Sequence, residues 1–178
     1  MNRLTLAQLD LRADDAVLEV GFGGGDLLAA ILSATSGPVW GADVSAAMVA
    51  RAKRRFRDIE RLRVIEASVE NLPLPSEWVD KVCSVNNLYF WPDSPAAMRE
   101  LARVLRPGGR LALCFEPPEE LRKWPGHRYG FRLYDETQAR ALMEAAGFGR
   151  IRRAEGRGRK PDRFLCLTGE RGPAEAAP

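Results

Sequence analysis

The stretch Val17-Leu18-Glu19-Val20-Gly21-Phe22-Gly23-Gly24-Gly25-Asp26 decides the fold of this chain. Its apolar start predicts a short strand, which enters a turn with four glycines, and a helical pattern begins at Asp26. Glycine has no Cβ, so it can adopt positive φ and lets a ligand approach the backbone closely. A strand, a glycine turn and a helix N-terminus together form a cradle for a nucleotide. A glycine-rich turn that binds no ligand is the alternative.

The spacing of these glycines distinguishes two kinds of nucleotide site. In the dinucleotide pattern G-x-G-x-x-G begun at Gly21, the third glycine would fall at position 26, where this chain has Asp26. The pattern E-x-G-x-G-x-G does fit, with its acidic residue at Glu19 and its glycines at Gly21, Gly23 and Gly25. The sequence therefore disfavours a nicotinamide dehydrogenase.

Length and composition are those of one globular α/β domain. The chain has 178 residues, of which 46% are hydrophobic and 29% are charged. No apolar run approaches the ~20 residues of a membrane span. The N-terminus lacks a basic-then-apolar signal segment, so we expect a cytoplasmic location. Cys83, Cys114 and Cys166 lie in separate apolar runs without C-x-x-C spacing, and His127 is the single histidine. We expect buried, reduced cysteines and no metal site.

The net charge of +3 is modest but unevenly distributed. Two segments are rich in basic residues: Arg51, Lys53, Arg54, Arg55 and Arg57 in the first, and Arg150, Arg152, Arg153, Arg157, Arg159, Lys160 and Arg163 in the second. We interpret both as solvated faces, and nucleic-acid binding is the alternative interpretation.

Predicted strands alternate with predicted helices along most of the chain. The strands are Ala16–Val20, Val39–Asp43, Leu62–Ala67, Val79–Val85, Arg110–Phe115, Phe148–Ala154 and Arg163–Thr168. The helices are Leu4–Asp10, Asp26–Thr35, Ala46–Phe56 with Ser45 as N-cap, one that starts at Ser94-Pro95 and stops at the turn Arg106–Gly109, and Glu136–Ala146 with Asp135 and Gly147 as caps. This alternation predicts a mostly parallel sheet with helices on both faces. Residues 169–178 lack apolar periodicity and are predicted to be a disordered tail.

Two motifs in the right order resemble those of one enzyme family. The first is the E-x-G-x-G-x-G pattern, and the second is Arg103-Val104-Leu105-Arg106-Pro107-Gly108-Gly109 before the fifth strand. Over about residues 15 to 168, the chain resembles class I S-adenosylmethionine-dependent methyltransferases, and it is closest to the small-molecule branch that includes quinone-type, methyltransferase type 11-like enzymes. The resemblance implies one Rossmann-like, doubly wound domain over 1–168. Its seven-stranded sheet is mostly parallel, and its last strand is antiparallel.

The resemblance also implies how the cofactor is held. Asp43 ends the second strand, where a carboxylate can accept hydrogen bonds from both ribose hydroxyls. Capping the next helix is its alternative role. In similar enzymes the acid at the position of Glu19 contacts the methionine part of the cofactor, and a carboxylate that only holds the turn is the alternative.

The adenine contact departs from the family pattern. The segment from Ala67 to Pro73 resembles the one in which an Asp meets the adenine amino group, but Ser68 stands at that position. A hydroxyl can still accept one hydrogen bond, without charge. Val69 and Val44 are expected to form apolar walls for the ring. Phe22, Met48 and Asn86 complete the expected cofactor contacts.

Residues for the methyl acceptor are expected after the fourth strand and in a later loop. Tyr89 and Trp91 could line the pocket with aromatic faces, which attract the cationic sulfonium, although packing is the alternative role. The spacing Asn86-x-x-Tyr89 is similar to the Asn-Pro-Pro-Tyr loop of amino-group methyltransferases, without its prolines. His127 could accept a proton from a hydroxyl nucleophile, and a surface loop histidine is the alternative.

The predicted function is methyl transfer from S-adenosylmethionine to an O, N, C or S atom of a small molecule, by in-line displacement that leaves S-adenosylhomocysteine. About fifteen residues precede the first strand, so we expect an open pocket. The loop Pro117–Tyr134, predicted to be mobile without ligand, or the second subunit of a homodimer would close it. The alternatives are a cofactor-binding or interaction protein without turnover, and an RNA or protein methyltransferase.

Overall fold

The computed structural model describes residues 1–128, 130–159 and 162–173, except for the side chain of His127. The strands are β1 (Val17–Val20), β2 (Val39–Asp43), β3 (Leu62–Glu66), β4 (Val79–Val85), β5 (Leu105–Phe115), β6 (Phe148–Arg157) and β7 (Arg163–Arg171). The α-helices are α1 (Asn2–Leu9), α2 (Asp26–Ala34), α3 (Ala46–Arg55), α4 (Ser94–Val104), α5 (Pro118–Leu121) and α6 (Glu136–Ala145). Two 3₁₀ helices cover Leu88–Phe90 and Pro125–Arg128.

The strands form one seven-stranded sheet in the order β3-β2-β1-β4-β5-β7-β6. β1 to β5 pair with one another in parallel, and β7 is antiparallel to both β5 and β6. This confirms the mostly parallel Rossmann-like sheet with an antiparallel last strand. β1 has β2 on one side and β4 on the other, so the chain reverses its direction of winding between β1 and β4. Ligands of open α/β sheets bind at such a point, beyond the carboxyl ends of the strands.

Helices cover both faces of the sheet, as predicted. On one face, α4 and α6 bury residues such as Met98, Leu101 and Met143 against Leu18 and Leu113 of the strands. On the other face, α1, α2 and α3 bury apolar side chains that include Leu9, Leu28, Ile31 and Val49. Successive strand residues therefore face opposite cores, which explains why the central strands are apolar without alternation.

The three cysteines belong to the second of these cores. Cys83 on β4, Cys114 on β5 and Cys166 on β7 are all buried, which confirms the prediction that they lie in the core. Cys114 and Cys166 are register partners on adjacent strands. Within the described ranges, no group of three or more His, Cys, Asp or Glu side chains is arranged to hold a metal ion. None of the described helices has the length and apolar character needed to cross a membrane.

Several predicted boundaries were wrong, and three of them change a helix cap or the sheet. The N-cap of α4 is Asp93, whose side chain accepts from the Ala96 N–H, and Ser94 lies inside the helix with its hydroxyl 2.7 Å from that of Tyr134. The predicted turn Arg106–Gly109 belongs to β5, because Leu105 pairs with Val79 and an irregularity absorbs the extra residues before Lys81.

The third boundary concerns the end of the domain. β7 continues to Arg171, where Glu170 pairs with Arg110 of β5, so the first residues of the predicted disordered tail complete the sheet. Residues 174–178 of that tail lie outside the described residues.

Candidate cofactor and acceptor site

A cavity of about 650 Å³ lies beyond the carboxyl ends of β1, β2 and β4. It therefore occupies the point where the strand order reverses. Of the predicted cofactor residues, nine line it: Glu19, Gly21, Phe22, Gly23, Asp43, Val44, Ser68, Val69 and Asn86. The structure thus brings together side chains from four different strand ends, as the sequence predicted.

The glycine turn is shaped by close packing at Gly21 and by open space at its next two glycines. Gly21 has φ of 68°, and a Cβ there would lie 1.2 Å from the Asn87 Nδ2 atom, so any other residue would be strained and would displace the Asn87 side chain. At Gly23 and Gly24, a Cβ would meet nothing within 4 Å. A ligand can therefore approach the backbone of these two residues closely.

Gly25 has a different role from the one predicted. It is the N-cap of α2 with φ of 79°, and its N–H donates to the Phe22 carbonyl at 2.9 Å. A Cβ at Gly25 would lie 3.1 Å from the Phe56 ring of the segment after α3. Gly25 is not among the cavity-lining residues. It closes the turn against the protein instead of contacting the cavity.

Asp43 connects three parts of the site. Its Oδ2 atom accepts from the Gly23 N–H and its Oδ1 atom accepts from the Ser45 N–H, both at 2.9 Å. The carboxylate is 8% exposed and lines the cavity. Ser45 is the N-cap of α3 and accepts from the Met48 N–H, so Asp43 acts one residue before the helix cap. Each carboxylate oxygen can accept a further hydrogen bond. Asp43 can therefore bind the backbone at the start of α3 and still accept hydrogen bonds from a ligand in the cavity.

Glu19 is a buried acid that is paired with no basic side chain in the described part of the chain. It is 3% exposed, it lines the cavity, and its Oε2 atom is buried with no hydrogen-bond partner among the described residues. Burial, followed by the negative charges of Asp43 and Asp26, raises the pKa of Glu19 well above its ordinary value. A cationic or hydrogen-bond-donating group in the cavity would satisfy this carboxylate.

On the predicted adenine side of the cavity, the Ser68 hydroxyl already forms two hydrogen bonds with Glu70. Ser68 Oγ donates to Glu70 Oε2 and accepts from the Glu70 N–H, each at 3.3 Å. A second lone pair of this oxygen remains for a ligand donor. Val44 lines the cavity although 75% of it is exposed, and Val69 lies buried beside the cavity. Met48 is not among the lining residues; its backbone N–H is bound by Ser45.

The segment after β4 supplies the opposite wall. Asn86, Asn87, Phe90, Trp91 and Pro92 all line the cavity. Asn87 donates to the Val20 carbonyl at 3.3 Å and accepts from Trp91 Nε1 at 3.0 Å, which ties this segment to the end of β1. The prediction for Trp91 is therefore confirmed as to its position.

Tyr89 is not among the residues that line the cavity, which corrects its predicted position. The 3₁₀ helix turns its side chain into the core, where it is 5% exposed and stacks on Phe131 with ring centroids 5.4 Å apart. Burial raises the pKa of the Tyr89 hydroxyl. Phe90, the next residue, is 55% exposed, and its ring meets Phe131 edge-on at 4.6 Å. Phe90 thus occupies the place that the sequence suggested for Tyr89.

His127 lies in the 3₁₀ helix Pro125–Arg128, in the loop after β5. Its side chain and the whole of Tyr129 lie outside the described residues, so the proposed base role of His127 stays a prediction. The same loop brings Trp124 to 5.3 Å from the Phe131 ring, so aromatic side chains from this loop pack beside Tyr89 and Phe90.

Sequence reasoning missed several lining residues. Asn2 of α1, Gly24, Ala42 and Asn87 line the cavity without having been predicted to do so. The register of the glycine turn could have indicated Gly24, because it lies between two glycines of the motif. Nothing local distinguishes Asn2, since α1 reaches the site through tertiary packing, including contacts with α2, β4 and β5.

The basic segments are partly neutralised by ion pairs. On β6 and β7, Arg150 contacts Glu170, Arg153 contacts Glu136 and Glu155, and Arg163 contacts Glu119 and Glu155. Arg55 on α3 is bound to Asp26. These pairs favour the interpretation as solvated faces over a phosphate-binding surface.

Comparison with known proteins gives consistent similarities. A methyltransferase domain family matches residues 18–113. An uncharacterized methyltransferase, YdaC of Bacillus subtilis (strain 168), is 34% identical over 172 residues, which cover 96% of this chain and 91% of YdaC. The ubiquinone/menaquinone biosynthesis C-methyltransferase UbiE of Hahella chejuensis is 35% identical over 65% of this chain, which spans 49% of UbiE. A solved S-adenosylmethionine-dependent methyltransferase of Aquifex aeolicus has a TM-score of 0.80 at 22% identity, covering 95% of this chain and 88% of that one.

Proposed function

Since this chain belongs to the S-adenosylmethionine-dependent methyltransferases, we propose that it transfers a methyl group from S-adenosylmethionine to an O, N, C or S atom of a small molecule. The observation that carries this proposal is the grouping of Glu19, Asp43 and the open glycines Gly23 and Gly24 around one cavity. These groups come from β1, β2 and the turn between β1 and α2, so a single ligand can contact all of them.

The chemistry of the lining residues fits the cofactor part by part. Asp43 has lone pairs left for the two ribose hydroxyls. Val44 and Val69 offer apolar surface to the adenine ring, and Ser68 can accept from its amino group. Glu19 can receive the ammonium group of the methionine part, which would satisfy its unpartnered Oε2 atom.

When bound, S-adenosylmethionine would supply a methyl group on a positively charged sulfur, ready for in-line displacement by a nucleophilic atom. The residues of this chain would bind, orient and exclude water. Asp43 and the glycine turn would hold the nucleoside end, and Asn87 holds the segment after β4 against the end of β1. Trp91 and Phe90 then border the place for the acceptor.

A small molecule is the acceptor class that the site favours. The cavity of about 650 Å³ has to hold the cofactor and the reacting part of the acceptor, and it is within the usual range of about 300–1,000 Å³ for small-ligand pockets. The arginines of β6 and β7 argue against a nucleic-acid acceptor, because carboxylates already pair with them. Buried free thiols suit a reducing compartment, which supports the cytoplasm as the proposed location.

Isothermal titration calorimetry with S-adenosylmethionine tests the cofactor. We expect saturable 1:1 binding, and a lack of detectable heat of binding at millimolar cofactor would overturn the proposal. Transfer of a labelled methyl group to a panel of phenols, amines, thiols and hydroquinones then tests turnover. Tight cofactor binding without transfer to any acceptor would support the alternative of a cofactor-binding protein. Binding to RNA that falls steeply with salt would instead support RNA methylation.

A further inference from the structure

Asn86 is held in an unusual backbone conformation where β4 meets the cavity. Its φ is 55°, in the left-handed region that non-glycine residues rarely adopt. Its N–H donates to the Cys114 carbonyl at 2.9 Å, which continues the pairing of β4 with β5 by one residue. The side chain of Asn86 therefore leaves the sheet in a direction that the backbone fixes.

The orientation of the Asn86 amide is fixed as well. Its Nδ2 atom donates to Glu116 Oε1 at 3.1 Å, and a carboxylate can only accept, so the amide nitrogen must face Glu116. The Asn86 Oδ1 atom then faces away from Glu116. It is buried and has no hydrogen-bond partner among the residues that the structure describes. Buried carbonyl oxygens are nearly always hydrogen-bonded, so a donor from a ligand or a water would satisfy this atom.

The surroundings indicate what kind of ligand brings that donor. Asn86 lines the cavity beside Phe90 and Trp91, while the amide of the neighbouring Asn87 is already used by Val20 and Trp91. Asn86, a residue of this wall, therefore carries one acceptor oxygen that no described residue uses. The groups suited to the cofactor, Asp43 and Glu19, lie on β2 and β1 instead.

We propose that Asn86 Oδ1 receives a hydrogen bond from an O–H or N–H group on an aromatic methyl acceptor, and that Glu116 is the positioning residue that holds the amide in this orientation. This inference rests on the proposed function. It narrows the acceptor to a molecule with a hydroxyl or amino group attached to a flat apolar ring.

The charges around Glu116 matter for this role, because Glu116 accepts from Asn86 only through an unprotonated oxygen. Partial burial and the nearby charge of Glu120 raise the pKa of Glu116, and the hydrogen bond from Asn86 opposes this. Glu120 on α5 is itself paired with Lys123 and accepts from the Asp162 N–H. Tyr89 is the other titratable group that interacts with Glu116.

Two probe pairs test the donor requirement on protein saturated with S-adenosylhomocysteine: phenol with anisole, and aniline with N,N-dimethylaniline. We expect ligand-observed NMR to give dissociation constants about three- to tenfold lower for the donor-bearing member of each pair. In Asn86→Gly, which removes the amide and suits the positive φ, this ratio should fall to about one. Because Asn86 is also one of the expected cofactor contacts, the affinity of each variant for S-adenosylhomocysteine is measured beside this ratio. Exposed Asn71→Gly serves as the matched control and should keep the ratio.

The role of Glu116 has its own readouts. Glu116→Ala should lower the ratio, and Glu116→Gln, which keeps an acceptor oxygen, should restore most of it. In the wild type, the ¹⁵N resonance of the Asn86 side chain, assigned by its loss in Asn86→Gly, should titrate with an apparent pKa above the ordinary carboxyl value. This titration should vanish in Glu116→Gln.

Several results would overturn the inference while leaving the proposed function intact. One is a ratio near one in the wild type, including no binding of either probe, and another is an unchanged ratio in Asn86→Gly. A tenfold loss of S-adenosylhomocysteine affinity in Asn86→Gly would assign the donor to the cofactor ammonium instead. Failure of the wild type to bind S-adenosylhomocysteine at all would contradict the proposed function itself.

Discussion

The Oδ2 atom of Asp43 accepts a hydrogen bond from the Gly23 N–H at 2.9 Å, so the residue that ends β2 holds the turn that follows β1. The Oδ1 atom of the same carboxylate accepts from the Ser45 N–H at the start of α3. A carboxylate beside two backbone N–H groups is a strong acceptor, because one partner is charged. The shape of the turn and the placement of the predicted ribose contact therefore depend on one side chain.

Replacing Asp43 should weaken both folding and cofactor binding. Hydrogen bonds to a charged group contribute about 1.5–3 kcal/mol each, so Asp43→Ala should lower the free energy of unfolding by about 2–4 kcal/mol. The dissociation constant for S-adenosylmethionine should rise at least about tenfold, the equivalent of about 1.4 kcal/mol. Calorimetric melting and titration measure the two effects. Asp43→Asn, which keeps one acceptor oxygen, should lie between the wild type and Asp43→Ala.

The control for this pair is Asp58→Ala, since Asp58 is 85% exposed and pairs only at the surface with Arg57. It should leave the melting temperature and the affinity unchanged. A folded Asp43→Ala protein with the wild-type dissociation constant would refute the assignment of Asp43 to the ribose.

Glu19 should make stability depend on pH in the free protein. Its pKa is raised in the folded state by burial and by Asp43 and Asp26. The unfolded chain loses this proton near the ordinary value of about 4.3. Below that pH the contribution of Glu19 to stability is fully present, and it is lost as the pH rises through the folded pKa. Glu19→Gln removes this loss, so its melting temperature should exceed that of the wild type at pH 8, while its affinity for S-adenosylmethionine should fall.

A gain in stability together with a loss of cofactor affinity in Glu19→Gln would indicate that this carboxylate serves ligand binding and not folding. Titrations of the wild type in buffers with different ionisation enthalpies should also show proton release on cofactor binding, because a cation favours the charged form of Glu19. A Glu19→Gln protein that is less stable at pH 8 and binds the cofactor normally would point to a purely structural role.

The two ends of the glycine turn should respond differently to alanine. Gly21→Ala adds a Cβ that would lie 1.2 Å from Asn87 Nδ2, at a residue with positive φ, so it should cost at least about 2 kcal/mol of stability. Gly24→Ala meets nothing within 4 Å and serves as the control. Urea unfolding should show a clear loss for Gly21→Ala and a small change for Gly24→Ala. Equal midpoints for the two variants would contradict the packing of Asn87 against the turn.

Much of the fold could be predicted because its signals are local. The bounds of β2 and β4 were correct to the residue, since β2 is an apolar run that ends at Asp43 and β4 carries three valines before the polar pair Asn86-Asn87. The glycine spacing placed the cofactor side of the site for the same reason. The start of β5 could not be read from sequence, because Pro107, Gly108 and Gly109 are typical of a turn and enter the strand only through an irregular pairing with β4.

The acceptor side was harder to predict because it depends on tertiary contacts. Whether Tyr89 or Phe90 faces the cavity is set by one 3₁₀ turn and by the stacking of Tyr89 on Phe131. The sequence shows that both residues are aromatic, but it does not show which of them the 3₁₀ turn directs toward the cavity. The pairing of Asn86 with Glu116 likewise joins the ends of two strands that are 30 positions apart in the chain.

Arg55, in the last turn of α3, should support cofactor binding without supporting stability. Its Nη1 atom donates to the Gly24 carbonyl at 2.7 Å and to Asp26 Oδ1 at 2.8 Å, and its guanidinium lies over the Phe56 ring. Exposed ion pairs contribute about 0–1 kcal/mol to stability, so Arg55→Ala should melt within a few degrees of the wild type. Gly24 and Asp26 line the cavity, however, so loosening them should raise the dissociation constant for S-adenosylmethionine about two- to fivefold.

The neighbouring exposed Arg54 offers a matched control, because Arg54→Ala removes the same charge from the same helix. The free carboxylate of Asp26 in Arg55→Ala should raise the pKa of Glu19 further, since Asp26 already contributes to that shift. Cofactor binding by Arg55→Ala should therefore release more protons than binding by the wild type. If Arg54→Ala and Arg55→Ala bind the cofactor equally well and release equal numbers of protons, the contact of Arg55 with the turn has no part in binding.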